Sequence, residues 1–370
     1  MRLIHLAGYG GPYPGSFIPM LRAIMGAAKR RGWECEAVFT PISRERAWLA
    51  ELEQDGIPYR FPPEGASRRE LTAWTADLLA EDDGRAVLHT HFTAFDVAAA
   101  LAGSKRERTA VVWHIHTPHS KSAAAFARNY LKYAVFGRRA DQILCVSPDL
   151  VDTITQRGAP RSKVEFLHNA VDVDRFPVLT GEQRRAARDE LGVPAGRPLL
   201  VHFGWDWTRK GGDLFEEALL RLRDSGADLS GVTVGGDDAA RELRDRLGLT
   251  GDLTVLEPTD RVQQMYAAAD IFVAPSRAEG TPFSVLEAVS SGTAAVVSDI
   301  PGHATVGAHA PACVITPLDP DAIAAAVRDL LERDPDEVAA DSLAGHGWLR
   351  ENLGLATWAE AMVDRYEQLP

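Results

Sequence analysis

The segment Arg277-Ala278-Glu279-Gly280-Thr281-Pro282-Phe283-Ser284-Val285-Leu286-Glu287 sets two carboxylates eight positions apart around a Gly-Thr-Pro turn. Thr281 has the chemistry of an N-cap, and Pro282 then falls at the first helical position, where a missing N–H costs nothing. A helix starting there aims free N–H groups and its positive dipole end at whatever precedes it, which suits a phosphate. Glu279 stands at the mouth of that anion site, and Glu287 lies about two turns further on. Carboxylates do not bind phosphate, so the pair would serve the hydroxyl-rich groups attached to it, a sugar and a ribose. The plainer reading is a capped helix with two solvated glutamates, and taken alone the pair favours it. The remaining constellations reverse that balance.

Three of them matter. Gly8-Tyr9-Gly10-Gly11-Pro12-Tyr13-Pro14-Gly15-Ser16-Phe17 follows an apolar run and precedes a helical pattern. Its glycines would let backbone approach a ligand, but it lacks a Walker A ending and a dinucleotide fingerprint, and a plain turn explains it equally well. In Gly204-Trp205-Asp206-Trp207-Thr208-Arg209-Lys210-Gly211-Gly212-Asp213, Asp213 and Glu216 form a capping-box-like pair that would open a helix. Arg209 and Lys210 just before it are placed to neutralise a diphosphate leaving group at the carboxyl edge of a sheet. Trp113-His114-Ile115-His116-Thr117-Pro118-His119 ends another strand-like run, as does His89-Thr90-His91. No nearby Asp, Glu or Cys completes a ligand set around these histidines, so no metal is expected. One of them as a hydrogen-bonding or proton-shuttling group is the functional reading, and for each singly a structural role is the default. Asp172-Val173-Asp174 resembles a metal-binding Asp-x-Asp but falls in a linker and reads as a turn.

Short apolar runs alternating with helical periodicity would position these groups. Strands are expected at 3–7, 36–39, 87–89, 110–114, 142–146 and 164–167, then at 199–203, 231–234, 253–256, 271–274 and 294–297. Helical patterns include 20–31, 71–81, 214–223, 241–247, 262–268, 282–290 and 322–331, with a last amphipathic helix at 357–369. This rhythm implies parallel sheets covered on both faces. Two such blocks in series make two Rossmann-like domains, 1–170 and 171–354, with a final segment 355–370 and a hinge near 169–177.

With 370 residues the chain suits two domains rather than one core. The net charge of −12 is uneven: residues 1–170 hold 22 Lys+Arg against 18 Asp+Glu, and residues 171–370 hold 18 against 34. The acidic total argues against a nucleic-acid partner. The mildly basic first half leaves room for an anionic acceptor or a peripheral membrane contact, its most basic helical stretch being 121–139; a solvated face is the better reading there. No run is long enough to span a membrane. The N-terminus reads as a strand rather than a leader, and Cys35, Cys145 and Cys313 lie far apart in apolar runs, so buried thiols in a reducing cytoplasm are expected.

Residues 146–150, 168–176 and 269–276, the last running into Glu279 and Glu287, together resemble the family-4 glycosyltransferases of the GT-B fold over essentially the whole chain. The resemblance implies a retaining, metal-independent transfer from a nucleotide-diphosphate sugar in a central cleft faced by both sheets, with the last helix crossing back to the first domain. It places Lys210 on the diphosphate and Gly280, Thr281, Pro282 and Phe283 around the phosphates and sugar. Glu279 would meet donor sugar hydroxyls, Glu287 the ribose, and Gly15-Ser16 matches the family's first-loop glycine pair. It favours His116 over His114 as the strand-end histidine, with Tyr9 and His91 on the acceptor side. Two departures stand out. Trp205 occupies a position where the family carries arginine, a charge Arg209 would have to supply, and Ser16 replaces a glycine. The expected donor is a UDP-sugar such as UDP-GlcNAc or UDP-glucose, with a hydroxyl of a small molecule, lipid or glycan as acceptor and no cofactor beyond the donor. A nucleotide-sugar epimerase of the same fold and a catalytically weak partner subunit are the alternatives.

Overall fold

The computed structural model describes residues 1–117, 122–194 and 196–370. His119 and Lys121 lie outside the described residues. The chain forms two compact units, Met1–Asn169 with Leu355–Pro370, and Ala170–Gly354.

The first unit is built on seven strands, β1 (Arg2–Ala7), β2 (Glu34–Phe39), β3 (Tyr59–Arg60), β4 (Ala86–His91), β5 (Thr109–Ile115), β6 (Gln142–Cys145) and β7 (Val164–Phe166). Their order is β3-β2-β1-β4-β5-β6-β7, every pair parallel, so the order in which strands are added reverses between β1 and β4. Register decides what each face carries. His5 lies beside His89, and His91 beside His114. Side chains alternate along a strand, so His5, His89, His91, His114 and His116 all project from one face. Ile4, Leu6, Leu88, Val111 and Trp113 pack the other. The helix Phe17–Arg30 packs against the last helix, Leu355–Glu367. Trp358, Met362, Val363 and Tyr366 bury one side of that last helix. Trp358 Nε1 donates to the His168 carbonyl at 2.9 Å, Arg365 grips Glu165 at 2.5 and 2.9 Å, and Arg31 meets Asp364 at 2.6 Å. The crossing-back of the C-terminal helix is thus built from packing and polar ties, Glu360 adding pairs to Arg30 and Arg31.

The second unit holds β8 (Leu199–Phe203), β9 (Ser230–Val234), β10 (Leu253–Leu256), β11 (Ile271–Ala274), β12 (Ala294–Ser298) and β13 (Cys313–Thr316). The order β10-β9-β8-β11-β12-β13 is again all parallel, with its reversal between β8 and β11. The linker residues Asp172-Val173-Asp174 form the expected turn, the Asp172 carboxylate accepting from the N–H groups of Asp174 at 3.2 Å and Arg175 at 3.1 Å. All three cysteines are buried free thiols. No helix among the described residues is long and apolar enough to cross a membrane.

Several local expectations are corrected. β3 lies outside the expected strands, and β13 was expected only as the apolar run around Cys313. The helix Phe283–Ser290 has Pro282, at ψ 120°, as its N-cap rather than its first residue, so Thr281 stands one position before the cap. The Pro282 carbonyl already accepts from Val285 and Leu286. Asp213 and Glu216 do not form a capping box. The helix Gly212–Asp224 is capped by Gly211 in the left-handed region, and a Cβ at Gly211 would sit 2.0 Å from the Pro275 carbonyl oxygen. The basic stretch is not one helix. It runs as Ala123–Leu131, a wider turn at Lys132–Phe136 and a tight one at Gly137–Arg139. Lys132 turns inward to Asp96 at 2.6 Å, while Phe126, Tyr130, Leu131 and Val135 are exposed.

Glu216 is fully buried, neither of its oxygens has a hydrogen-bond partner, and burial pushes its carboxyl up to about 8. An unfolded glutamate loses its proton near pH 4.5, whereas the folded one keeps it until about 8. Its contribution is therefore intact at low pH and lost as pH rises through that window. Glu216→Gln should gain stability over wild type progressively from pH 4.5 to 8 and then level off, by up to about 5 kcal/mol. Melting curves across pH check this, and a pH-independent difference would contradict the buried neutral carboxyl.

Candidate active site

In open parallel sheets ligands bind beyond the carboxyl ends of the strands where strand order reverses. In the second unit that place is formed by the loops after β8 and β11. The loop after β8 turns through Asp206, at φ 69°, into a one-turn helix, Trp207–Lys210. This helix delivers Arg209 and Lys210 to Glu279. Lys210 Nζ lies 2.7 Å from one carboxylate oxygen and Arg209 Nη1 2.9 Å from the other. Arg209 also holds Asp206 at 2.6 Å. Arg277 ties the two loops together, pairing with both Asp213 oxygens at 2.8 and 2.6 Å and donating to the Thr208 carbonyl at 2.7 Å. The Asp213 carboxylate that could have capped a helix is spent on this clamp.

Glu279 keeps only 10% side-chain exposure. Burial alone would raise its carboxyl, but Lys210 and Arg209 outweigh that and hold it below the usual value. His303 is a neighbour that the sequence reading missed. Its Nδ1 bonds the Ser298 carbonyl at 2.9 Å, its Nε2 has no hydrogen-bond partner, and burial lowers it to about 4. Gly302, beside it, has no room for a Cβ, which would stand 2.0 Å from the Gly280 carbonyl oxygen. Pro301 and Gly302 open the helix Pro301–His309, which puts His303 in its first turn. Thr281 and Glu287 are buried, and a Glu287 oxygen accepts from the Tyr266 hydroxyl at 2.9 Å. Trp205, in place of the family arginine, packs on Phe203 and over Gly235. It fills the edge of the core and offers no charge.

In the first unit the loops after β1, β4 and β5 converge likewise. Tyr9 packs on Phe17 and Phe92, with ring centroids 5.0 and 5.6 Å apart, and Phe92 stacks on His116 at 4.7 Å. His116 is bonded to His91 at 3.0 Å, and His91 to His5 at 2.8 Å. The Tyr9 hydroxyl donates to the Tyr13 carbonyl at 2.7 Å, and burial pushes it up to about 12. Gly15, at φ 54°, precedes Ser16, the N-cap of the helix Phe17–Arg30. Burial keeps His116 neutral, down at about 3. Tyr9, Gly15, Ser16, His91 and His116 are thus gathered in one place. His5 was missed because a lone histidine in an apolar strand carries no signal; only register puts it beside His89. The expectation that no ligand set surrounds the histidines is likewise altered, since adjacent strands bring together groups that lie far apart in sequence.

Two Rossmann-like units, each with loops converging where its strand order reverses, make the arrangement in which open parallel sheets bind ligands. Residues 20–175 match the model of Glycosyltransferase Family 4, and residues 197–333 that of Glycosyl transferases group 1. The chain belongs to the family-4 glycosyltransferases, which use nucleotide-sugar donors. It is 27% identical over 332 residues to a D-inositol 3-phosphate glycosyltransferase of Nocardia farcinica, covering 80% of this chain and 72% of that one. It is 28% identical over 239 residues to the 2-deoxystreptamine glucosyltransferase of Streptomyces kanamyceticus, covering 59% and 60%. Among solved structures, HepE of Anabaena in complex with UDP-glucose superposes with a TM-score of 0.84 at 19% identity over 100% of both chains. The lipopolysaccharide glycosyltransferase WaaG superposes with 0.70 at 17% identity over 99% of each. These likenesses show the GT-B fold.

If Glu279 depends on both cations, Lys210→Met should destabilise the second unit by about 1.5–3 kcal/mol. In a Glu279→Gln background the same change should cost at least about 1 kcal/mol less, because no charge is left unpaired. Urea unfolding of the four proteins completes the cycle, and strict additivity would mean that Lys210 and Glu279 are not coupled.

Proposed function

We propose that the chain is a retaining glycosyltransferase that moves a sugar from a UDP-sugar, UDP-glucose or UDP-GlcNAc, to a hydroxyl of a small cyclitol-type acceptor. The observation that carries this reading is the buried Glu279 carboxylate held by Arg209 and Lys210 just ahead of the helix Phe283–Ser290. A diphosphate adds negative charge where two cations and the helix N-terminus already converge. Lys210 has three donors and Arg209 five, so both can engage phosphate oxygens while still orienting Glu279 toward sugar hydroxyls. Gly280, Thr281, Pro282 and Phe283 line the approach, Glu287 serves the ribose, and Gly15 with Ser16 admits backbone close to the phosphates. Arg209 supplies the charge that Trp205 lacks. The neutral ring of His116, oriented by His91, contacts the reacting sugar or acceptor, and Tyr9 flanks the acceptor.

The acceptor class is supported by two relatives, a D-inositol 3-phosphate glycosyltransferase and a 2-deoxystreptamine glucosyltransferase, whose namesake compounds are both polyhydroxylated cyclohexanes. The exposed Phe126, Tyr130, Leu131 and Val135 support contact with an amphiphilic surface as a secondary feature. In transfer itself the cations at the diphosphate are Arg209 and Lys210, so no metal is needed there.

A panel of UDP- and GDP-sugars against inositols and aminocyclitols, followed by product analysis, tests the reading. Turnover with a GDP-sugar only, or donor hydrolysis without acceptor dependence, would overturn it. Glu279→Ala should lower kcat by at least about 100-fold, the scale of losing one stabilising contact to the transition state. UDP affinity by titration calorimetry should change little. Lys210→Ala should weaken UDP by roughly 10- to 150-fold, a charge-assisted contact's worth, and UMP much less. Equal loss for both nucleotides would move Lys210 away from the diphosphate. EDTA should not lower initial rates, and a requirement for Mg²⁺ or Mn²⁺ would overturn the metal-free step.

A further inference from the structure

Five of the chain's 11 histidines share one face of the first sheet. His5, His89, His91 and His114 are fully buried, and His116 is half-buried. A neutral imidazole carries one donor and one acceptor. Among the described residues the hydrogen bonds of this group are few: His5 Nδ1 with His91 Nε2 at 2.8 Å, His91 Nδ1 with His116 Nε2 at 3.0 Å, and His89 Nδ1 with the Tyr366 hydroxyl at 2.5 Å. His5 Nε2, His89 Nε2 and both nitrogens of His114 are buried without any hydrogen-bond partner. Each such group costs about 1–3 kcal/mol to leave unmet, so an array this unsatisfied calls for an occupant. The occupant must prefer several converging imidazole nitrogens and tolerate the absence of a carboxylate. Borderline-soft divalent transition metals meet both conditions, and three histidines with one open position are a known zinc arrangement.

Among the described residues, two triples bring one ligand atom each within 4.8 Å of the others: His5, His89 and His91, and His91, His114 and His116. The first is wholly buried. The second includes half-buried His116 and the doubly unpartnered His114. We propose that His91 Nδ1, His116 Nε2 and a ring nitrogen of His114 bind a divalent transition metal of the zinc class, with the fourth position open on the His116 side. Tetrahedral coordination with Zn–N near 2.05 Å sets nitrogens about 3.3 Å apart. The His91–His116 pair therefore has to open by only about 0.3 Å from its 3.0 Å separation. His5 plays the outer role that fixes a ligand's tautomer: with His91 Nε2–H donating to His5 Nδ1, the His91 Nδ1 lone pair faces the metal. Burial lowers all three rings far below their ordinary values, so each is neutral and ready to ligate near pH 7.

The site stands on this geometry and not on the transferase reading. It has a consequence for that reading, because an ion on His116 Nε2 withdraws that nitrogen from any other use. Zn²⁺ should then inhibit transfer, and chelation should restore it.

The test is Co²⁺ titration of metal-stripped full-length protein, read by the visible bands of tetrahedral Co²⁺ and by displacement with Zn²⁺. One ion per chain is expected, with bands that Zn²⁺ abolishes. His114→Ala and the space-filling His114→Phe should each weaken Co²⁺ by at least 100-fold while melting cooperatively. His89→Asn should retain the bands. Absence of stoichiometric Co²⁺ or Zn²⁺ binding by wild type would overturn the proposal. Bands that survive in a folded His114 variant but vanish in His89→Asn would overturn it too, placing the ion on His5, His89 and His91. None of these readouts depends on glycosyl transfer, so a failed donor panel and a failed metal titration are separable results.

Discussion

A carboxylate with little access to water stays ionised only when opposite charges meet it, and Glu279 meets two. Taking either away leaves a charge that the surroundings cannot solvate. The requirement reaches outward from the side chain. Arg209 and Lys210 arrive on a single helical turn that must end at once, and Gly211 ends it in a conformation that excludes a Cβ because the Pro275 carbonyl is in the way. Arg277 then locks the next helix to the same loop through Asp213. The loops after β8 and β11 consequently behave as one body, and a ligand entering there meets charges already in position rather than side chains that must be collected.

How much of this could be read in advance follows from which forces act locally. The segment 262–268 reads as a helix from its own periodicity, and the helix is Val262–Ala268. β3 has two residues, too few for any alternation to register, and β13 is an apolar run of only three residues, Cys313-Val314-Ile315, whose Ile315 stays exposed at the sheet edge. Asp213 and Glu216 satisfy a local capping pattern, yet a cation from a distant loop claims the aspartate and burial claims the glutamate. The residues around Glu279 were legible singly, from their types and their position at strand ends. Their mutual pairing was not, since Arg209 and the backbone beside Glu279 are 69 positions apart. His5 marks the limit of reading by motif: nothing in its neighbours distinguishes it, and strand register alone makes it part of an array.

Among the described residues, the non-glycine residues at positive φ are Phe92, Thr93 and Asp206. All three sit immediately beyond strands that flank a reversal of sheet order, β4 in one unit and β8 in the other. Such conformations cost of order 1–3 kcal/mol each and persist only where packing over-determines them. Phe92 stacks on His116, and Asp206 opens the turn that carries Arg209 and Lys210. The strain is thus concentrated in the backbone that aims the reactive groups.

The first unit is discontinuous in sequence, and its histidine face is met by Tyr366 from the last helix. On the ribosome, all of Ala170–Gly354 emerges between the sheet and the helix that closes it. At about 5–20 residues per second, that interval lasts on the order of 10–40 s. Through it, the nascent first sheet exists without the last helix against its histidine face, and the second unit is complete in sequence before that helix emerges. The order of assembly is therefore inverted relative to the order of synthesis: the half that begins the chain is the last to close.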